Sequence, residues 1–287
     1  MIAAGPLPTP QQDLGECPVW NDRDGRLEWI DVTGKALLSS DAAGADFETQ
    51  ALDAFVGGFA LREEGGRIIA YRRRIVLTDE AGDIVAEIAV PSRDEGLERY
   101  NDGACDSRGR YWVGTMDRSV REPVGALYRI DPDGKSHRMA DGLVLSNGIA
   151  WNPDDTQLFH CDSGPRTIYV HDFDALTGTI GPRRVFAAFS DGDGMPDGCA
   201  MDAAGRLWVA APGSASVLCF ATDGSIVERL AVPSHHPTSV GFGGSDLRTL
   251  YVTSMKPREG PHDDGVDGAV FSYQVEIAGL PRHRFAG

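Results

Sequence analysis

Apolar residues in this chain come in short runs, and each run stops at a cluster of Gly, Asp, Asn or Pro. Six such runs share one character: Leu27-Glu28-Trp29-Ile30, Arg67-Ile68-Ile69-Ala70, Tyr111-Trp112-Val113-Gly114, Leu158-Phe159-His160, Leu207-Trp208-Val209-Ala210 and Leu250-Tyr251-Val252-Thr253. β-Branched and aromatic residues bounded by turn formers predict strands. Further strands are predicted at Ala126–Ile130, Thr167–Val170 and Val217–Phe220, each ahead of another turn signal such as Asp131-Pro132-Asp133-Gly134. No long stretch carries the 3.6-residue period of an amphipathic helix.

The pattern repeats. Six turn signals precede the strands above: Asn21–Gly25, Glu63–Gly66, Asp106–Gly109, Asn152–Asp155, Asp202–Gly205 and Gly243–Asp246. Five residues before the start of each stand Glu16, Gly58, Asn101, Asn147, Asp197 and Thr238, separated by 42, 43, 46, 50 and 41 residues. A period of that size, with several strands in each repeat, is the signature of a propeller. The expected fold is an all-β, six-bladed β-propeller with four-stranded antiparallel blades around a central axis. No linker divides the chain, so residues 1–287 read as one domain. The segment up to about Gln12 is expected to pair with the last blade, because an open sheet edge needs covering. Met116 to Gly125 and Met255 to Gly268 read as longer loops, charged and containing Pro, suited to the rim or lid of an axial pocket.

Composition narrows the picture. With 41% hydrophobic residues over 287 positions, the chain can bury a sizeable core. No apolar run approaches the roughly 20 residues of a membrane-spanning helix, and the N-terminal residues lack the basic and apolar regions of a secretory signal. Five cysteines, an odd number without a C-x-x-C pair, suit a reducing compartment, so a cytoplasmic protein is expected. A net charge of −16 argues against nucleic acid as a partner. No membrane association is expected, and the chain is read as a monomer or weak homo-oligomer. Trp20, Trp112, Trp151 and Trp208 recur at repeat positions and read as packing between blades. Arg72-Arg73-Arg74 lacks interleaved aromatics and reads as a strand edge. G-x-S-x-G, H-E-x-x-H, Walker A, G-x-G-x-x-G and EF-hand signatures are all absent.

Equivalent positions of a radial array meet near its axis, which gives the polar anchors a chemical meaning. Glu16, Asn147 and Asp197 offer two carboxylates and an amide oxygen, a set suited to Ca²⁺, Mg²⁺ or Mn²⁺ and accepted by Zn²⁺ and Fe²⁺. Three protein ligands leave positions for water and substrate. Each also has an ordinary reading: Asn147-Gly148 and Asp197-Gly198 are common turn dipeptides, and Glu16 is acceptable as a solvated side chain. Arg99 stands two residues before Asn101, on the same side of an extended strand. Together they suit a polyhydroxylated substrate, although Arg99 has Glu95 and Glu98 as alternative ion-pair partners. His235 and His236 read as a loop near the axis, and His262-Asp263-Asp264 as a solvated lid segment. Cys17 beside Glu16 is a poor nucleophile, because a neighbouring carboxylate raises a thiol's pKa.

Six motifs, in order, carry a resemblance: Leu14-Gly15-Glu16-Cys17-Pro18-Val19-Trp20, Arg99-Tyr100-Asn101-Asp102-Gly103, Gly114-Thr115-Met116, Ser146-Asn147-Gly148, Pro196-Asp197-Gly198 and Phe242-Gly243-Gly244. They span nearly the whole chain, which resembles the senescence-marker-protein/gluconolactonase family that includes regucalcin. The resemblance implies a six-bladed propeller with one divalent metal that hydrolyses lactones of sugar acids. It implies Glu16, Asn147 and Asp197 as metal ligands, with Ca²⁺ first and Zn²⁺, Mn²⁺ or Fe²⁺ as alternatives. Arg99 and Asn101 would hold substrate hydroxyls. Some members carry an acidic substrate contact shortly after Gly-Thr-Met; here that place falls on Ser119, with Asp117 nearby. Cys17 stands where Gly or Ser is usual. The expected reaction is hydrolysis of an aldonolactone to its aldonic acid, with Asp197 also as general base and a metal-bound hydroxide as the competing nucleophile. The alternatives are a non-catalytic Ca²⁺-binding propeller and a metal-dependent hydrolase of another ester or organophosphate.

Overall fold

Every strand predicted above forms, because each turn signal folds the chain back beside the run it has just completed. A computed structural model describes residues 2–89, 98–257 and 265–287. Strand β1 (Ile2–Pro6) comes first. The first blade follows with β2 (Gly15–Asn21), β3 (Arg26–Asp31), β4 (Ala36–Asp41) and β5 (Glu48–Ala51). The second has β6 (Val56–Leu61), β7 (Arg67–Tyr71), β8 (Ile75–Thr78) and β9 (Ile84–Ile88). The third has β10 (Glu98–Cys105), β11 (Tyr111–Asp117), β12 (Gly125–Ile130) and β13 (Ser136–Leu143). The fourth has β14 (Ser146–Trp151), β15 (Gln157–Asp162), β16 (Thr167–Asp174) and the short β17 (Thr179–Ile180), with β18 (Arg184–Ala188) also on β16. Gly181-Pro182 splits what is one outer strand elsewhere, since proline has no N–H to give the ladder. The fifth has β19 (Cys199–Met201), β20 (Leu207–Ala211), β21 (Ser216–Phe220) and β22 (Ile226–Ala231), and the sixth β23 (Pro237–Gly243), β24 (Thr249–Ser254) and β25 (Phe271–Gln274). This is an all-β, six-bladed β-propeller of four-stranded antiparallel blades.

The strands group into two compact units. One comprises residues 1–53 and 187–281. In it β23 has β2 and β19 as neighbours, so the first strands of three blades run side by side. The sixth blade takes its fourth strand from the other end of the sequence: β1 pairs antiparallel with β25. Backbone bonds from Leu7 to Val270 and from Gln12 to Gly268, both 2.7 Å, continue the pairing. The expected closure up to Gln12 is thus present. The core of this unit joins Trp208, Val240, Phe242 and Phe271 in one cluster and Leu7, Leu27, Trp29 and Tyr251 in another.

The second unit comprises residues 54–186 and 282–287. Here β10 has β6 and β14 as neighbours. Tyr111, Tyr128 and Phe285 centre one core cluster, and Trp112, Trp151 and Phe173 another. Trp112 and Trp208 are fully buried and pack edge-on against Trp151 or Phe173 and Phe242 respectively, as the packing reading expected. The triple arginine departs from expectation. Arg72, Arg73 and Arg74 form the β7–β8 turn rather than a strand edge. Arg72 lies over the Phe55 ring and Arg74 over the Tyr71 ring.

In five of the six blades the recurring anchor has a structural identity: it marks a break in register. First strands lose register between Glu16 and Val19, Val56 and Gly58, Tyr100 and Gly103, Asn147 and Ile149, and Pro237 and Ser239. A bulge bends a strand and re-aims its side chain, so the same device recurs in each of these blades. Gly58, the apolar exception, has a packing reason. A Cβ there would lie 3.0 Å from Gly103 N and 3.3 Å from Asn101 O, so the neighbouring strand occupies the space.

Candidate functional site

In the second unit the bulges of β10 and β14 bring together residues far apart in sequence. Arg99 Nη1 donates to Asn101 Oδ1 at 2.8 Å and to Tyr100 O at 3.0 Å. Asn101 Nδ2 donates to Asn147 Oδ1 at 2.5 Å and to Ser146 O at 2.8 Å. Asn147 Nδ2 donates to Ser163 Oγ at 2.7 Å. Donors and acceptors thus run one way along the chain Arg99, Asn101, Asn147, Ser163. With its nitrogen on Ser163, the oxygen is the atom Asn147 can offer a cation, and one of that oxygen's two lone pairs is taken by Asn101. Both Asn101 amide hydrogens are also taken, which leaves its oxygen as the atom for a further hydroxyl. Beneath Asn147, the Ser146 hydroxyl lies 2.7 Å from His160 Nε2. Burial pushes the His160 pKa down to about 3, with the charges of His171 and Arg183 adding to the effect.

The β10–β11 register sets Arg99 opposite Met116 and Glu98 opposite Asp117. The strand therefore continues two residues into the segment read as loop, and the loop proper starts at Arg118. Asp117 is buried. Its carboxylate accepts from the Ser119 hydroxyl, from the backbone N–H of Arg121 and Glu122, each at 2.9 Å, and from Ser119 N. Those bonds, the Ser119 hydroxyl foremost, hold its pKa far below the usual carboxylate range. Asp117 thus shapes the loop, and Ser119 hangs from it.

In the first unit Glu16 lies on β2 and Asp197 just ahead of β19, the two strands that neighbour β23. Glu16 stands at the β2 bulge. Asp197 lies two residues ahead of β19 and extends its pairing: Asp197 N donates to Ala210 O, and Ala210 N to Gly198 O, both at 3.0 Å. Between them Gly198 N donates to Thr238 O at 2.9 Å, and the Thr238 hydroxyl donates to Gly15 O. Cys17, after Glu16, takes φ of 51°, the left-handed region that favours glycine. All five cysteines are buried and outside any disulfide. His235 is exposed beside His236, with ring centroids 5.8 Å apart. Glu95 and His262-Asp263-Asp264, named above as an ion-pair partner and a lid, lie outside the described residues.

By donor type, Glu16 and Asp197 in the first unit offer carboxylates, and Asn147 in the second offers an amide oxygen oriented through its nitrogen; hard divalent cations take oxygen donors of these kinds. Sequence reasoning missed Ser163 and the Ser146–His160 pair. No spacing motif marks them; they follow from which strand end the β14 bulge brings beside Asn147.

Residues 14–256 match the family described as SMP-30/Gluconolactonase/LRE-like region. The chain is 36% identical to a 6-deoxy-6-sulfogluconolactonase of Pseudomonas putida, over 96% of this chain and 95% of that protein. It is 33% identical to regucalcin of Gallus gallus, again over 96% and 95%. Among solved structures, the calcium-binding protein regucalcin from Agrobacterium tumefaciens superposes with a TM-score of 0.91 at 27% identity, covering 99% of this chain and 98% of the other. Family match, identity and coverage agree: this chain belongs to the SMP-30/gluconolactonase/regucalcin family.

Proposed function

We propose that this chain hydrolyses a sugar lactone, an aldonolactone, to the corresponding aldonic acid, with one divalent cation held by Glu16, Asn147 and Asp197. The observation that carries the reading is the one-way hydrogen-bond chain from Arg99 through Asn101 and Asn147 to Ser163. It couples residues suited to sugar hydroxyls to an amide oxygen suited to a cation. Held by these residues, a cation (Ca²⁺ first, with Zn²⁺, Mn²⁺ or Fe²⁺ as alternatives) would supply polarisation of the lactone carbonyl and charge neutralisation. Asp197 takes the proton from that water. Arg99 donates to ring hydroxyls, and the remaining lone pair of Asn101 Oδ1 accepts from one, which holds the ring in a reactive orientation. Asp117 and Ser119 bound the substrate through the loop they organise. The P. putida relative is named for a lactone with an anionic group at C6, and Arg118 and Arg121 on that loop are exposed. A C6-anionic lactone therefore belongs in the substrate panel. The protein would act in the cytoplasm as a single-domain monomer or weak homo-oligomer.

The test is acid release, followed with a pH indicator, from metal-stripped protein given each cation separately against pentono-, hexono- and C6-anionic lactones. Release that depends on added metal is the expected result. Asp197→Ala is expected to lose both cation binding and turnover; a fully active Asp197→Ala sinks the assignment. The name calcium-binding protein on the A. tumefaciens structure favours a second reading, a non-catalytic calcium binder. That reading requires calcium binding without acid release from any lactone.

A further inference from the structure

Thr238 occupies the sixth anchor position, and the donor set above gives it no role. It is 1% exposed. Its hydroxyl donates to Gly15 O. Thr253 Oγ1 lies 3.0 Å away. A hydroxyl has one proton to give; with that of Thr238 on Gly15 O, Thr253 gives its own either to Thr238 Oγ1 or to Ser239 O, 3.4 Å away. The Thr238 carbonyl accepts from Gly198 N at 2.9 Å. Gly15 immediately precedes Glu16, and Gly198 immediately follows Asp197. One buried residue thus bonds to the backbone beside both carboxylates.

The two glycines make that tie matter. A Cβ at Gly15 would lie 3.0 Å from Ser254 O, and one at Gly198 would overlap the Ser239 hydroxyl. Glycine is therefore needed at Gly198 and relieves a tight contact at Gly15, yet it brings no side chain to fix the backbone. The bonds to Thr238 take over that task, one through its hydroxyl and one through its carbonyl.

We propose that Thr238 is a positioning residue that sets the separation of the Glu16 and Asp197 carboxylates for a bound cation. The inference rests on the reading that these two carboxylates are cation ligands. Removing the hydroxyl loosens the Gly15–Glu16 side alone, because the carbonyl bond to Gly198 is backbone and survives substitution.

The experiment is calorimetric titration of the chelator-treated full chain with Ca²⁺ and with Mn²⁺, alongside the melting temperature of the metal-free protein. Thr238→Val, which keeps shape and removes the hydroxyl, is expected to raise Kd about 10- to 100-fold, the usual effect of losing a partner that orients a ligand. Thr238→Ser restores the donor and is expected to bind like the wild type. A Thr238→Val protein that melts earlier but binds with unchanged Kd shows a structural role and overturns the proposal. Should Thr238→Val fail to fold, Thr238→Cys keeps the volume with a weaker donor; a raised Kd supports the proposal and a wild-type Kd overturns it. Asp197→Ala separates the two levels. If it binds cations as tightly as the wild type, the ligand assignment itself falls, and the Thr238 role falls with it.

Discussion

Single residues here are set by backbone geometry as much as by chemistry. Cys17 has a left-handed backbone at the β2 bulge, a conformation that costs a residue with a Cβ about 1–2 kcal/mol. Cys17→Gly removes that strain while losing a small buried thiol, so its unfolding free energy is expected within about 1 kcal/mol of wild type. Cys17→Val adds a branch at the same φ and is expected to destabilise by about 1–3 kcal/mol; urea unfolding of both variants checks the pair. His160 gives a pH signature. The unfolded chain takes up its proton near pH 6.5, whereas the folded chain refuses it until about pH 3. Stability therefore falls as pH drops from 6.5 towards 3, by up to about 1.4 kcal/mol per pH unit for this one group. His160→Gln is expected to flatten that slope in denaturant titrations, leaving the part due to His171, whose pKa burial also lowers.

Strands and bulges show what a sequence reveals at the scale of elements. The strands were legible because each apolar run ends at a turn signal, and the anchors were legible because the bulge falls at a constant distance before the turn. What stayed hidden depends on how strand ends and loops meet once the strands pair. Ser163 acquires its role only when the β14 bulge places Asn147 beside the end of β15. The loop that closes over the Asp117 carboxylate likewise has no marker in the sequence. In the fourth blade Gly181-Pro182 divides the outer strand, a break the turn pattern does not mark. The tie between β1 and the sixth blade offers a test at this scale. Leu7 is buried and follows β1 directly. Leu7→Ala is expected to cost about 2–5 kcal/mol, the range for a large-to-small core change. Guanidinium unfolding measures it; a loss below about 1 kcal/mol would show that the N-terminal strand adds little.

For the whole molecule, net charge and cation binding are linked. A chain of formal charge −16 repels itself, and a divalent cation bound only by the folded form relieves part of that repulsion. Chelation is therefore expected to lower the melting temperature. Free cation at about 100 times its Kd should restore about 2.7 kcal/mol of stability. Calorimetry with and without chelator tests this, and an unchanged transition would contradict cation binding by the native state. The six repeats were readable from turn spacing alone, whereas the division into two compact units has no marker in composition.

The sixth blade also imposes an order of events on biosynthesis. β1 leaves the ribosome well before its partner β25 (Phe271–Gln274). At 5–20 residues per second, the interval between Pro6 and Gln274 is roughly 13–54 seconds. Throughout it β1 is an unpaired strand, a ready template for a neighbouring nascent chain. If β1 of one chain finds β25 of another first, the product is a strand-swapped dimer, so the pairing that completes the blade is also the step at which crowded synthesis can go astray.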